Sequence, residues 1–181
     1  MGTSRRQVLS LVAGIALMVT AFPAYSAETT VNVTLWDKGE NAMDMLGEMR
    51  SKGMLLGMGM MHGRGKGKRM ARMDRMGPMG IDVDQVEVPA GDVTFAVTNE
   101  SGSMIHEMVV AKVTDENVML PYNDAMDKVD EDAAGHLGEV AELDPGQKGE
   151  LKITLEPGSY ILYCNIPGHY VLGMWTIVDV K

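Results

Sequence analysis

Apolar and polar positions alternate along most of the chain after residue 80, and in one short stretch well before it. Thr29 to Trp36, T-T-V-N-V-T-L-W, sets Val31, Val33 and Leu35 on one face, the period of a half-buried strand rich in β-branched residues. Asp37-Lys38-Gly39 reads as its end. Ile81 to Val88 and Asp92 to Thr98 are predicted strands joined by the turn Pro89-Ala90-Gly91, and Met104 to Val113 is another. Tyr122 to Asp132 loses the alternation; it is acidic and helix-compatible, with Pro121 near its start. His136 follows in a glycine-flanked loop and reads as having no role beyond, at most, a weak accessory copper contact. Leu137 to Leu143, Gly149 to Leu155 and Ser159 to Cys164 are strands separated by Asp144-Pro145-Gly146 and Glu156-Pro157-Gly158, and Gly173 to Val180 is the last strand. Seven or eight short strands with frequent turns predict an all-β fold, a Greek-key β-sandwich carrying a short helix. No internal repeat interrupts it.

Two stretches do not share this pattern. In the first, Arg5-Arg6 precede the apolar run Val8 to Val19, and Ala24-Tyr25-Ser26 has small residues at the minus-three and minus-one positions of a cleavage site. Residues 1–26 therefore read as a secretory signal peptide cut after Ser26, and Ser4 to Leu9 is similar to a twin-arginine export signal. The run is short for a membrane span. The expectation is a periplasmic protein with no stable membrane insertion after cleavage.

The second stretch is residues 41–80, read as an insertion between a first strand in 27–40 and the rest of the domain in 81–181. It holds eleven of the eighteen methionines, many glycines and His62. Ala42 to Lys52 is helix-compatible, whereas the glycine-dense Gly53 to Gly67 is read as flexible. Two readings stay open. The methionines are adaptable apolar filler against the body. Alternatively, the thioethers of Met43, Met45, Met58, Met60, Met61, Met70, Met73, Met76 and Met79, with His62, form a collector for additional Cu(I), which soft ligands select.

Charge separates the same regions. Residues 41–80 carry eight Lys or Arg against three acids, while the chain without them and without residues 1–26 has six basic and twenty-two acidic residues. An acidic body with a basic insertion in an exported protein argues against nucleic acid as partner.

The densest chemistry lies in Tyr160 to Trp175, Y-I-L-Y-C-N-I-P-G-H-Y-V-L-G-M-W. The only cysteine, Cys164, cannot close an internal disulfide, so it is a free thiol, an intermolecular bridge or a metal ligand. His169 and Met174 follow at intervals of five, and Pro167-Gly168 is turn chemistry that folds the three donors onto one loop. Thiolate, imidazole and thioether suit copper. A second imidazole must come from His62, His106 or His136; His106 is the best placed, early in a strand after the Ser101-Gly102-Ser103 turn. His106-Glu107 does not continue to H-E-x-x-H, no pair of histidines spaced H-x-H exists to build a multinuclear copper cluster, and no G-x-S-x-G or phosphate-cradling loop is present, so the chain does not read as an enzyme.

The segments S-G-S-M-I-H106-E-M-V-V and Y-x-C164-x4-H169-x4-M174, with Gly168 before the second His and Gly173 before the Met, resemble the cupredoxins, the blue copper proteins. The long ligand loop is similar to the rusticyanin and sulfocyanin branch of that family rather than to plastocyanin. The resemblance covers roughly residues 30–36 and 81–181. It implies one type 1 copper bound by His106, Cys164, His169 and the axial Met174. Glu107 departs from it, standing where many members have an Asn that ties the ligand loops together. The Met-rich insertion is similar to regions in periplasmic cupredoxins associated with copper tolerance. Two functions follow from the resemblance: copper homeostasis with periplasmic copper-handling partners, or simple one-electron carriage between periplasmic redox partners.

Overall fold

A computed structural model describes residues 28–52, 77–114 and 119–181, so residues 1–26 and the greater part of the insertion lie outside the described residues. Two sheets face each other. The first contains β1 (Thr29–Asp37), β2 (Met79–Val83), β4 (Gly91–Asn99) and β9 (Lys148–Leu155), in the order β2-β1-β4-β9. The second contains β3 (Glu87–Val88), β5 (His106–Val113), β8 (His136–Leu143), β10 (Gly158–Tyr163) and β11 (Trp175–Val180), in the order β3-β11-β10-β5-β8. The pairs β1/β4 and β3/β11 are parallel and the remaining pairs antiparallel. The chain crosses from sheet to sheet after β2, β3, β4, β8 and β9, as the Greek-key winding of a sandwich requires.

The core lies between the sheets. Val31, Val33 and Leu35 of β1 meet Val93, Phe95 and Val97 of β4 in it, the faces that alternation assigned inward. Opposite them stand Met108 and Val110 of β5, Tyr160 and Leu162 of β10, and Val178 and Val180 of β11. A second cluster covers the outer face of the five-stranded sheet. Val109, Ala111, Ile161, Tyr163 and Trp175 pack there against Leu120, Val129, Ala134, Tyr170 and Val171. Strand β5 is therefore buried on both faces, and M-V-V-A reads as a continuous apolar run instead of an alternation.

Four local expectations are revised. Ile81 to Val88 is two strands in different sheets, β2 and β3, rather than one. Met104 and Ile105 precede β5, because the Asn99 amide holds the Met104 carbonyl in the turn. Tyr122 to Asp132 is not a helix but a small hairpin, β6 (Tyr122–Asn123) and β7 (Lys128–Val129). Its turn is made by the Asn123 side chain, which accepts the backbone N–H groups of Ala125 and Met126, and by Asp127 at a positive φ of 56°. Helix is confined to Glu131–Ala134 here, capped by the Asp130 carboxylate at one end and by Gly135 in the left-handed conformation at the other. His136 opens strand β8 rather than lying in a loop, with its side chain exposed.

The start of the insertion forms a 3-10 turn (Glu40–Ala42) and helix α1 (Asp44–Ser51). Its far end belongs to the sandwich: β2 begins at Met79, and Asp37 pairs with Met79. Ala42 and Met79 are both core residues, the latter 1% exposed.

Candidate metal centre

Each functional side chain is placed by an ordinary structural cause. His106 is the first residue of β5 and faces inward, with Met108 and Val110. The turn before it is fixed by Asn99 and Ser101. Asn99 donates to the carbonyls of Met104 and Leu143 and accepts from the Ser101 N–H, while the Ser101 hydroxyl accepts the N–H groups of Ser103 and Met104. Cys164 follows β10 on its inward face. The loop after it closes on itself: Cys164 N–H donates to the Met174 carbonyl at 3.0 Å, Met174 N–H to the His169 carbonyl at 3.1 Å, and His169 N–H to Ile166 at 3.0 Å. Gly168 and Gly173 take φ of 84° and 94°, the left-handed region that the turn residues promised, and Gly168 N–H donates to the Asp127 carbonyl at 2.7 Å.

These constraints bring three donors together. His106 Nδ1 lies 3.2 Å from His169 Nδ1, and Cys164 Sγ lies 3.4 Å from the same His169 nitrogen. All three residues are buried, with their donor atoms within 4.8 Å of one another. Met174 is fully buried in the same core cluster as Cys164. His62, the remaining candidate imidazole besides His136, lies outside the described residues.

The electrostatics fit a cation. Burial pushes the Cys164 thiol up to about 12, although N–H groups of Glu107 and Ile166 directed at the sulfur pull the other way. Burial, reinforced by the neighbouring His106, pushes His169 down to about 3. Burial also lowers His106, against the opposing pull of Asp37. Two neutral imidazoles and a thiol that ionises only beside a positive charge are a soft, dry donor set that a cation completes.

Two residues around the donors escaped the sequence reading. Asp37, taken as the end of a strand, reaches across the sandwich: its Oδ2 lies 2.8 Å from His106 Nε2, and its side chain is 1% exposed. An acid at the end of an apolar run carries no signal of burial in a single sequence. Glu107 was visible only as a departure from the family pattern. Its backbone N–H approaches Cys164 Sγ at 3.5 Å and its carboxylate accepts the backbone N–H of Asn165, so Glu107 itself ties the segment that carries His106 to the one that carries Cys164. Asn165 extends the tie, donating to the Val129 carbonyl and to Glu131 and accepting the Val129 N–H.

Of the residues read as a Cu(I) collector, Met79 is a core side chain and Met43 packs partly buried against that core. Met45 falls on α1. Met58, Met60, Met61, His62, Met70, Met73 and Met76 lie outside the described residues. A second cluster of donors, Glu131, His136 and Glu139, stands at the surface with Glu131 already engaged by Asn165.

Two facing sheets, with the donor atoms of His106, Cys164 and His169 brought together in the interior, form a β-sandwich of the cupredoxin fold. Among solved structures, rusticyanin from Thiobacillus ferrooxidans is similar over 85% of this chain and 77% of its own, with a TM-score of 0.50 at 14% identity. Auracyanin from Roseiflexus castenholzii matches 55% of this chain and 86% of its own, with a TM-score of 0.43 at 24% identity. Auracyanin A from Chloroflexus aurantiacus, a "blue" copper protein, matches 55% and 88%, with a TM-score of 0.42 at 26% identity. No family model and no curated protein matches the chain. Among the described residues no helix is long and apolar enough to cross a membrane.

Proposed function

We propose that the chain is an exported type 1 copper protein of the periplasm that acts in copper homeostasis. Residues 1–26 serve as its signal peptide, and His106, Cys164, His169 and Met174 hold one copper. The observation that carries this reading is the convergence of His106 Nδ1, His169 Nδ1 and Cys164 Sγ in a buried site. Bound there, copper would supply a one-electron couple between Cu(I) and Cu(II). The chain's own part is to exclude water from the donors, to keep both imidazoles neutral and to hold the sulfur under two backbone N–H groups. Strand ends and a self-bonded loop fix these atoms, which keeps reorganisation small whichever oxidation state is present.

Homeostasis is favoured over plain electron carriage by where the Met-rich segment attaches. The strand ends that flank it are joined beside Asp37, which bonds the Nε2 side of His106: Lys38 N–H donates to the Pro78 carbonyl at 2.9 Å. Thioethers leaving from that point would gather Cu(I) next to the buried donors, for exchange with copper-handling proteins.

The test is addition of Cu(II) to the purified protein. Strong visible thiolate-to-copper absorption that disappears in Cys164→Ala is expected; a colourless copper-loaded protein overturns the reading. Replacing residues 54–76 by a short Gly-Ser linker, which spares Ala42 and Met79, separates the two functions. Homeostasis predicts the same visible band with fewer Cu(I) equivalents bound and lower copper tolerance. Unchanged stoichiometry and tolerance leave one-electron carriage.

A further inference from the structure

We propose that Asp37 is a positioning residue of the metal centre, whose buried carboxylate fixes His106 as the Nε2–H tautomer, turns its Nδ1 toward the ion, and by its charge favours the oxidised ion over the reduced one. This rests on the copper reading above and specifies how the site would be tuned.

The geometry leaves one assignment for the imidazole. His106 Nε2 lies 2.8 Å from Asp37 Oδ2, and the two side chains are 0% and 1% exposed. An ionised carboxylate only accepts, so the proton of the neutral ring sits on Nε2 and the lone pair on Nδ1. Nδ1 is the atom that faces His169 Nδ1 at 3.2 Å. The carboxylate is itself held: the Gly39 N–H donates to Oδ1 at 2.6 Å, and the Ser101 hydroxyl also bonds to it. The Gly39 N–H and the Ser101 hydroxyl thus both point at the carboxylate, as suits a group that only accepts.

Charge follows from placement. Asp37 comes from one sheet and His106 from the other, so the pair spans the dry core between them. A fixed negative charge one imidazole away from an ion stabilises the more highly charged state, and it does so strongly where water is excluded. A carboxylate bonded to the far nitrogen of a ligand imidazole also raises the basicity of the near one.

Two variants divide orientation from charge. Asp37→Asn keeps the size and a carbonyl acceptor for Nε2–H and removes the charge; Asp37→Ala removes both. The tautomer of His106 is read by 15N NMR of the metal-free protein. Cu(I) and Cu(II) affinities are measured by competition with chelators, and the reduction potential by redox titration. In wild type and Asp37→Asn, a single Nε2–H tautomer is expected. Asp37→Asn should shift preference from Cu(II) toward Cu(I) by about tenfold or more, a rise of about 59 mV in the one-electron potential for each factor of ten. A folded Asp37→Asn whose preference moves by less than about twofold overturns the role of charge. A folded Asp37→Ala that still shows only the Nε2–H tautomer overturns the role in orientation. Should Asp37→Ala not fold, a mixture of tautomers in wild type does so instead. If wild type gives no visible copper band, the copper reading fails, while the tautomer of the metal-free protein still decides how Asp37 orients His106.

Discussion

Glu107 offers a direct way to ask whether the segments that carry His106 and Cys164 are joined by a hydrogen-bond acceptor or by a charge. The residue is 7% exposed, its carboxylate accepts the Asn165 N–H, and its Oε1 has no hydrogen-bond partner. Burial raises its pKa, with Glu131 and Glu139 adding to the effect and Lys128 opposing it. Glu107→Gln keeps the shape and the acceptor and removes a charge buried without full pairing. An unsatisfied buried polar atom costs about 1–3 kcal/mol and more when charged. Gln leaves an uncharged amide at the unpaired position, so near neutral pH it should be more stable than wild type by about 1 kcal/mol, the part of the cost that comes from the charge. The sign can be worked through. The folded carboxyl holds its proton to a higher pH than the unfolded one, whose value is 4.5. Its favourable contribution is therefore present below the unfolded value and is lost as pH rises through the folded value. The advantage of Gln should accordingly be small at about pH 4.5 and open as pH rises. Glu107→Ala instead leaves the Asn165 N–H without an acceptor and opens a cavity, a loss of about 2–4 kcal/mol. Urea unfolding of the metal-free proteins at several pH values, with slopes compared, measures both. A Gln variant as damaged as the Ala variant near neutral pH, or a Gln advantage that does not change with pH, would refute the reasoning.

Gly80 lies opposite Trp36 in the β1–β2 ladder, and a Cβ there would stand 2.6 Å from Trp36 Cζ2. Gly80→Ala should therefore cost about 1–3 kcal/mol of overpacking, seen as a lower thermal midpoint; an unchanged midpoint would show that the ring moves aside freely. Acid should weaken the metal-free protein through His169, held down to about 3 from 6.5. Below pH 6.5 the unfolded chain takes up a proton that the folded one refuses, so stability falls as pH drops from there toward about 3, by up to about 1.4 kcal/mol per pH unit for this group. A flat profile of unfolding free energy across that window would count against neutral burial of the ring.

Much of the sandwich is legible in the sequence because one face of most strands is buried and the other is not. β1 and β4 show this most plainly, with every second residue in the core. The pattern fails where that condition fails. β5 is covered on both faces, and 122–132 is shaped by Asn123 and Asp127 side chains bonding or bending the backbone locally, which composition mistakes for an acidic helix. The donors that share one loop could be read because turn residues and spacing are local. Asp37 could not, since its partner is 69 residues away and only the packing of two sheets brings them together.

The same strand end explains how so foreign a segment is carried. β1 and β2 are antiparallel neighbours, and the ladder runs to Asp37 opposite Met79, with Lys38 N–H bonded to the Pro78 carbonyl just beyond. In the ladder, the Met-rich stretch is a long hairpin connection whose ends the sandwich has already brought together. Lengthening such a connection costs little, about 0.6 kcal/mol for each doubling, so a long stretch can be carried here while Ala42, Met43 and Met79 still contact the core. Among the described residues of the stretch, Ala42 and Met79 lie in the core and Met43 packs partly buried against it. Those two core residues and the Asp37–His106 pair fix where the segment leaves.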